Sequence, residues 1–174
     1  MADVRGYTRV TEGLSALEVT HLANRFYEAG SAALLSADGL LGQIEGDLVM
    51  GLFVPGLAGK NLYLRKSVRG ALRLFEAVGY GGAEGNWLNL GIGIATGEEY
   101  VGNVGGGGYK DFTALGDVTN TAARLSSAAA PGELLVDAGT YAAVADDHPE
   151  FERRELELKG KAAVEAYAIQ PWKQ

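Results

Sequence analysis

The sequence contains no cysteine. Disulfide frameworks and thiolate metal sites are therefore excluded, and a cytoplasmic setting is permitted and expected. No apolar run approaches the roughly 18 residues of a membrane-spanning helix, and no secretory leader reads ahead of Asp3. Positive charge is also scarce. Fifteen Lys and Arg stand against 22 Asp and Glu, for a formal net charge of −7. A chain this acidic is not built for broad contact with nucleic acid or an anionic membrane surface, so neither is expected as a partner.

What is present reads as one domain of mixed secondary structure. The chain of 174 residues can bury one sizeable core and is short for two, and no repeat or linker divides it. Ser15-Ala-Leu-Glu18 spells a capping box with Leu14 placed as a staple. Val19, Leu22, Ala23, Phe26 and Ala33 follow at helical spacing, predicting a long amphipathic helix that ends before Gly39. Ile44 to Val54 predicts a hairpin with its tip at Glu45-Gly46-Asp47. Leu64, Val68, Ala71, Leu72, Phe75 and Val78 mark a second helix, stopped by Gly79. Leu88, Leu90, Ile92 and Ile94 alternate with Asn89, Gly91, Gly93 and Ala95, predicting a strand with one bulky and one small face. Tyr100 to Val104 and Tyr109 to Leu115 flank a glycine run at 105–108. That run reads as a hairpin tip rather than a phosphate loop, because no Lys-Ser/Thr follows it and no helix starts at once. Leu134 to Val136 predicts a short strand, and Asp137 can cap a short helix. Arg153 to Leu158 and Val164 to Ile169 predict a last hairpin that turns through Lys159-Gly-Lys161. The order β-α-α-β-β-α-β-β-β-α-β-α-β-β points to an α+β fold, an antiparallel or mixed sheet with helices packed on it.

The segment from Asp111 to Arg124 (DFTALGDVTNTAAR) carries the most chemistry. It reads as a strand that passes through a Gly-Asp turn into a helix. Asp117 stands where an N-cap belongs, its carboxylate able to accept first-turn N–H groups. Asn120 and Arg124 lie four residues apart and so share one helix face, while Ala122 and Leu125 occupy the packing face. An amide and a guanidinium displayed together suit a phosphate whose negative charge grows during a reaction. Taken alone, the pair is equally compatible with a solvated helix face.

The strand-turn-helix resembles the corresponding segment of class III nucleotide cyclases, the adenylyl and guanylyl cyclase catalytic domain. Three further segments resemble that family in the same order: Ala2 to Thr8 (ADVRGYT), Gln43 to Met50 (QIEGDLVM), and Leu158 to Lys161 (LKGK) followed by Val164 to Ile169. The resemblance spans nearly the whole chain and implies a ferredoxin-like βαββαβ core. It implies conversion of ATP to 3′,5′-cyclic AMP and pyrophosphate, with Asn120 orienting the ribose, Arg124 stabilising the pentacoordinate α-phosphate, and Lys159 holding the terminal phosphates. Lys161 is close enough to be confused with Lys159, and a lysine in a tight hairpin is as readily a solvated charge. The resemblance also places two Mg²⁺ or Mn²⁺ ions on Asp3 and Asp47, with the Val4 carbonyl as a further ligand. One ion would activate the 3′-hydroxyl and the other would hold the triphosphate. A lone Asp in a turn is more commonly a turn residue, so these two assignments rest on the resemblance. In the family, the metal aspartates and the Asn/Arg pair of one site come from different subunits, which implies a homodimer with two sites across a two-fold axis.

The sequence departs from the family at two places. The first strand should begin several residues before Asp3, and here only Met1-Ala2 precede it, the pattern expected of a fragment of a longer protein. Base recognition is the second. Four residues before the second metal aspartate, adenylyl cyclases commonly carry Lys and guanylyl cyclases Glu, whereas this chain carries Gln43. Its partner position is Thr113. An amide can read either purine, so GTP stands as an alternative substrate. Two further alternatives are a cyclase-like regulatory or dimerisation domain with little turnover, and a diguanylate cyclase, whose Gly-Gly-Asp/Glu-Glu-Phe hairpin is absent.

Overall fold

The computed structural model describes residues 1–108, 110–157 and 163–172. Its elements follow the order β1 (Ala2–Val4), α1 (Tyr7–Thr11), α2 (Ala16–Ser36), β2 (Leu40–Glu45), β3 (Leu48–Leu52), α3 (Pro55–Ala58), α4 (Tyr63–Ala77), β4 (Leu90–Ile94), β5 (Tyr100–Val104), β6 (Asp111–Leu115), α5 (Asp117–Ala128), β7 (Glu133–Asp137), α6 (Ala138–Val144), β8 (Glu152–Leu156) and β9 (Val164–Ile169). This is the order read from the sequence with one short addition, α3, which begins at Pro55 where the fixed φ of proline favours a helix start.

The seven-stranded sheet runs β2-β3-β1-β4-β7-β9-β8, and β5 with β6 form a separate hairpin. Strand β1 is antiparallel to both β3 and β4. The unit β1-α2-β2 therefore straddles β3, and β3-α4-β4 straddles β1, which is the interleaved βαββαβ core. Strand β7 then joins parallel to β4, and β9 and β8 extend the sheet antiparallel.

Alternation along the strands sorts side chains into two cores. Ala2 and Val4, Leu90 and Ile92, and Leu134 and Val136 pack with Phe26 of α2 and with Val68, Leu74 and Phe75 of α4. The opposite face of β7, through Leu135, packs with Leu125 and Ala129 at the end of α5 and with Ala166 and Ala168 of β9. Helix α2 starts at the expected capping box: Ser15 accepts the Glu18 N–H and Glu18 accepts the Ser15 N–H. Such a cap contributes about 1 kcal/mol.

The small face of β4 decides where α5 sits. A Cβ on Gly91 would lie 2.9 Å from the Ala129 carbonyl oxygen, and one on Gly93 would stand 2.8 Å from the Leu125 carbonyl carbon. The two glycines thus let the helix backbone lie directly on the strand. A cavity of about 450 Å³ opens beyond the first residue of β1, bounded by Met50–Val54, Ile92–Gly97, α2, α4 and the start of α5.

Candidate active site

Strand alternation places Asp3 on the sheet face opposite the α2 and α4 core, because its neighbours Ala2 and Val4 belong to that core. Asp3 lies opposite Leu48 of β3 and Gly91 of β4. Asp47 occupies the β2–β3 turn immediately before Leu48, and its backbone oxygen accepts the Val4 N–H at 3.0 Å. The two expected metal carboxylates are thus carried on neighbouring, hydrogen-bonded backbone. Gly46 adopts φ +56° in this turn, and the Tyr27 hydroxyl of α2 braces it by donating to the Gly46 carbonyl at 2.7 Å. Burial raises the Tyr27 pKa, with further contributions from Tyr7 and Asp47.

Arg5 falls outside the residues that sequence reasoning singles out, yet it is central here. Its guanidinium pairs with the Asp3 carboxylate and also donates to the Ser127 carbonyl of α5 at 2.9 Å. Its Nε is buried with no partner among the described residues. Burial pushes the guanidinium pKa down from its ordinary value, and the Asp47 carboxylate opposes that shift. A cation therefore already stands beside Asp3. The donor set of Asp3 and Asp47 is all oxygen, which suits a hard divalent ion, and two carboxylates suffice for Mg²⁺, which keeps waters and substrate phosphates in its shell. No group of three or more His, Cys, Asp or Glu side chains among the described residues offers a fuller protein cage.

The Asn/Arg pair lies on α5. Asn120 is exposed on α5, and Arg124 lies one turn further along, half-buried. The Arg124 Nη1 is buried with no hydrogen-bond partner among the described residues. A charged donor left unmatched typically costs about 1–3 kcal/mol or more, and an anion brought to this atom would supply the missing partner. One local expectation is corrected. Asp117 is not the N-cap; Gly116 is, and it has no side chain to cap with. The first-turn N–H of Thr119 is instead accepted by the Glu99 carboxylate at 2.9 Å. A residue twenty positions earlier has taken the role, and no local pattern in the sequence marks it.

Gln43 sits just after a slip in the β2–β3 register between Leu41 and Gln43. Bulges of this kind re-aim side chains. Gln43 alternates with Ile44, which packs on the α2 side, so its amide projects from the face that carries Asp3. Its Nε2 donates to Glu45 at 3.3 Å. Thr113 is buried on β6, which runs alongside β2. The strands bearing Gln43 and Thr113 are therefore neighbours. Lys159 lies outside the described residues.

No hydrogen bond or ion pair among the described residues joins Asp3 or Asp47 to Asn120 or Arg124. None of Asp3, Asp47, Gln43, Thr113, Asn120 and Arg124 lines the large cavity. The β5–β6 hairpin carries exposed apolar side chains on both faces: Tyr100 and Leu115, paired across it, on one, and Val101 and Phe112 on the other.

Known proteins share this fold. The profile of the adenylate and guanylate cyclase catalytic domain matches residues 1–171. The adenylate cyclase of Anabaena cylindrica is 29% identical over 126 residues, 71% of this chain and 25% of that protein, so the chain spans about a quarter of this relative's length. Among solved structures, the adenylyl cyclase CyaB from P. aeruginosa superposes with a TM-score of 0.82 at 29% identity, covering 96% of this chain and 89% of that one. A guanylyl cyclase crystal structure superposes with a TM-score of 0.78 at 26% identity, covering 96% and 87%.

Proposed function

Because the chain belongs to the adenylate and guanylate cyclase catalytic domain family, we propose that it converts ATP to 3′,5′-cyclic AMP and pyrophosphate at sites shared between two copies. The observation that carries this reading is the buried, unmatched Arg124 Nη1 one helical turn beyond Asn120. In the reaction the ribose 3′-oxygen bonds to the α-phosphorus, the bond from that phosphorus to the bridging oxygen breaks, and pyrophosphate leaves. Negative charge grows on the α-phosphate oxygens, and a preorganised guanidinium there lowers the barrier. Asn120, exposed on the same helix face, orients the ribose. Lys159 is assigned to the terminal phosphates. Asp3, Asp47 and the Val4 carbonyl would hold Mg²⁺ or Mn²⁺, which when bound supply charge for the triphosphate and acidify the attacking hydroxyl.

Two features support a homodimer. None of Asp3, Asp47, Asn120 and Arg124 lines the large cavity, and no ion pair among the described residues joins the aspartates to Arg124. The β5–β6 hairpin also leaves Tyr100 at 56% and Leu115 at 52% exposure, a pairing that a second copy can cover. ATP is preferred as substrate because adenylate cyclases stand among the similar proteins. GTP is the second reading, and one contact favours it. The Gln43 amide nitrogen is engaged by Glu45, which leaves its carbonyl as the free group, an acceptor for the guanine N1–H.

The test is complementation. Purified chain with Mn²⁺ and either ATP or GTP should release cyclic nucleotide and pyrophosphate. Asp47→Ala and Arg124→Ala should each be inactive with the fold retained. Their mixture should recover part of the activity, because one heterodimer site then carries neither change. Inactive mixtures in which heterodimers are shown to form would refute a shared site.

A further inference from the structure

Glu99 lies on the segment that leaves β4 and stands directly before Tyr100, the first residue of β5. Its carboxylate reaches across to α5 with both oxygens. One accepts the Thr119 backbone N–H at 2.9 Å, and the other accepts the Thr119 hydroxyl at 2.7 Å. Thr119 is the third residue of α5 and the immediate neighbour of Asn120. Helix α5 receives no side-chain hydrogen bond from its own cap in this turn. Its cap residue is glycine, and the Asn120 N–H to Gly116 carbonyl bond is long at 3.3 Å. A carboxylate placed here satisfies a first-turn donor and also sits favourably at the positive end of the helix dipole.

Gly116 completes the arrangement. It adopts φ +153°, and a Cβ there would stand 2.8 Å from Glu99 Oε1 and 3.0 Å from its Cγ. Glycine at 116 therefore serves both the backbone conformation and the approach of Glu99. The hairpin that begins at Tyr100 is the one whose apolar side chains are exposed. Glu99 is the covalent neighbour of that hairpin and the hydrogen-bonded anchor of the helix that carries Asn120 and Arg124.

We infer that Glu99 is a positioning residue: it fixes the first turn of α5, sets the aim of Asn120 and, one turn on, Arg124, and couples both to the β5–β6 hairpin. The inference rests on the cyclase reading of α5. Glu99 itself touches no reacting atom in this scheme; it acts through Thr119.

The experiment compares the wild-type chain with Glu99→Ala, Glu99→Gln and Ser15→Ala, reading amide hydrogen exchange together with kcat and KM for cyclic nucleotide formation. Glu99→Ala should speed exchange at the first turn of α5 by about tenfold, the scale of a lost cap. It should lower kcat by about ten- to a hundredfold, the effect of a misaimed group, with KM changed far less. Glu99→Gln keeps a carbonyl acceptor for the Thr119 N–H and should fall between wild type and Glu99→Ala on both readouts. Ser15→Ala removes the equivalent cap from α2, about three turns ahead of Tyr27, and should speed exchange in that first turn while leaving kcat at the wild-type level. An unchanged exchange rate in α5, or a kcat loss no greater than that of Ser15→Ala, overturns the positioning role in an active enzyme. A wild-type chain that forms no cyclic nucleotide overturns the cyclase reading first, and the positioning role falls with it.

Discussion

Replacing Gly93 by alanine should damage the enzyme through the placement of one helix. A Cβ at this position would stand 2.8 Å from the Leu125 carbonyl carbon, where ordinary contact begins at 3.4 Å, and would press closer still on Ser126 N and Ala122 O. All three are backbone atoms of α5, so no side chain can rotate out of the way and the helix must retreat as a body. Leu125, fully buried against Leu135, would lose contact as it moved. Overpacking of this kind costs ~1–3 kcal/mol. For a chain of this length that lowers Tm by ~2–4 °C per kcal/mol. The catalytic loss should be larger. Arg124 adjoins Leu125, and a displacement of ~1 Å in a positioned group costs ~10²-fold in rate. The assay is initial-rate formation of cyclic nucleotide and pyrophosphate at saturating substrate with Mn²⁺, paired with urea unfolding. Gly91→Ala supplies a graded comparison, since its Cβ would meet Ala129 O at 2.9 Å and Ser126 O at 3.0 Å, beyond Arg124 at the exit of the helix. It should cost less in rate. Gly106→Ala meets nothing within 4 Å and should change neither readout. If Gly93→Ala keeps both its rate and its unfolding midpoint, α5 is not seated on β4 through these glycines and does not aim Arg124 in this way.

Two other perturbations probe the sheet side of the site. Arg5→Met keeps an apolar stem but removes the guanidinium paired with Asp3, so calorimetric titration of Mn²⁺ without nucleotide should show tighter binding, by about tenfold, the scale of one charge-assisted bond; unchanged affinity would mean that the Arg5–Asp3 pair does not compete with metal. Gln43→Lys should shift the kcat/KM ratio toward ATP and Gln43→Glu toward GTP, each by ~1–3 kcal/mol. A ratio unmoved by either change would show that Gln43 does not face the base.

Features encoded over a few consecutive residues are legible in the sequence by themselves. The capping box at Ser15 and Glu18, the glycine stop at Gly79 and the bulky and small faces of β4 each depend on spacing within one element, and each stands where its pattern puts it. Arg5 shows a signal that is present but easily passed over. It lies two residues beyond Asp3 at the end of β1, so strand periodicity alone puts both side chains on one face. Glu99 carries no such signal. Asp117 has every local mark of an N-cap, yet Gly116 takes the cap position, and the donor is met from across a loop. The aim of Gln43 is hidden for a related reason. A register slip between Leu41 and Gln43 depends on the pairing with β3, not on the sequence of β2.

Electrostatics supplies a reason why the proposed site would be divided between copies. A chain of net charge −7 repels a nucleoside triphosphate at long range, so binding must come from local inversion of charge. Arg5 cannot supply it while engaged by Asp3 and by Ser127. Arg124 can, because its Nη1 is buried and unmatched among the described residues. The aspartates, by contrast, add negative charge and become useful only once divalent ions reverse it. Set side by side within one chain, an uncompensated Arg124 and the aspartates would pair with each other, as Arg5 already does with Asp3, and the anion site would be filled internally. In the proposed dimer, keeping the cation on α5 and the carboxylates on β1 and the β2–β3 turn, with no ion pair between them among the described residues, would hold both halves available until a second copy and the substrate bring them together. The exposed β5–β6 hairpin would give that second copy a surface to seat on, and Glu99 fastens the same hairpin to the helix that bears Arg124.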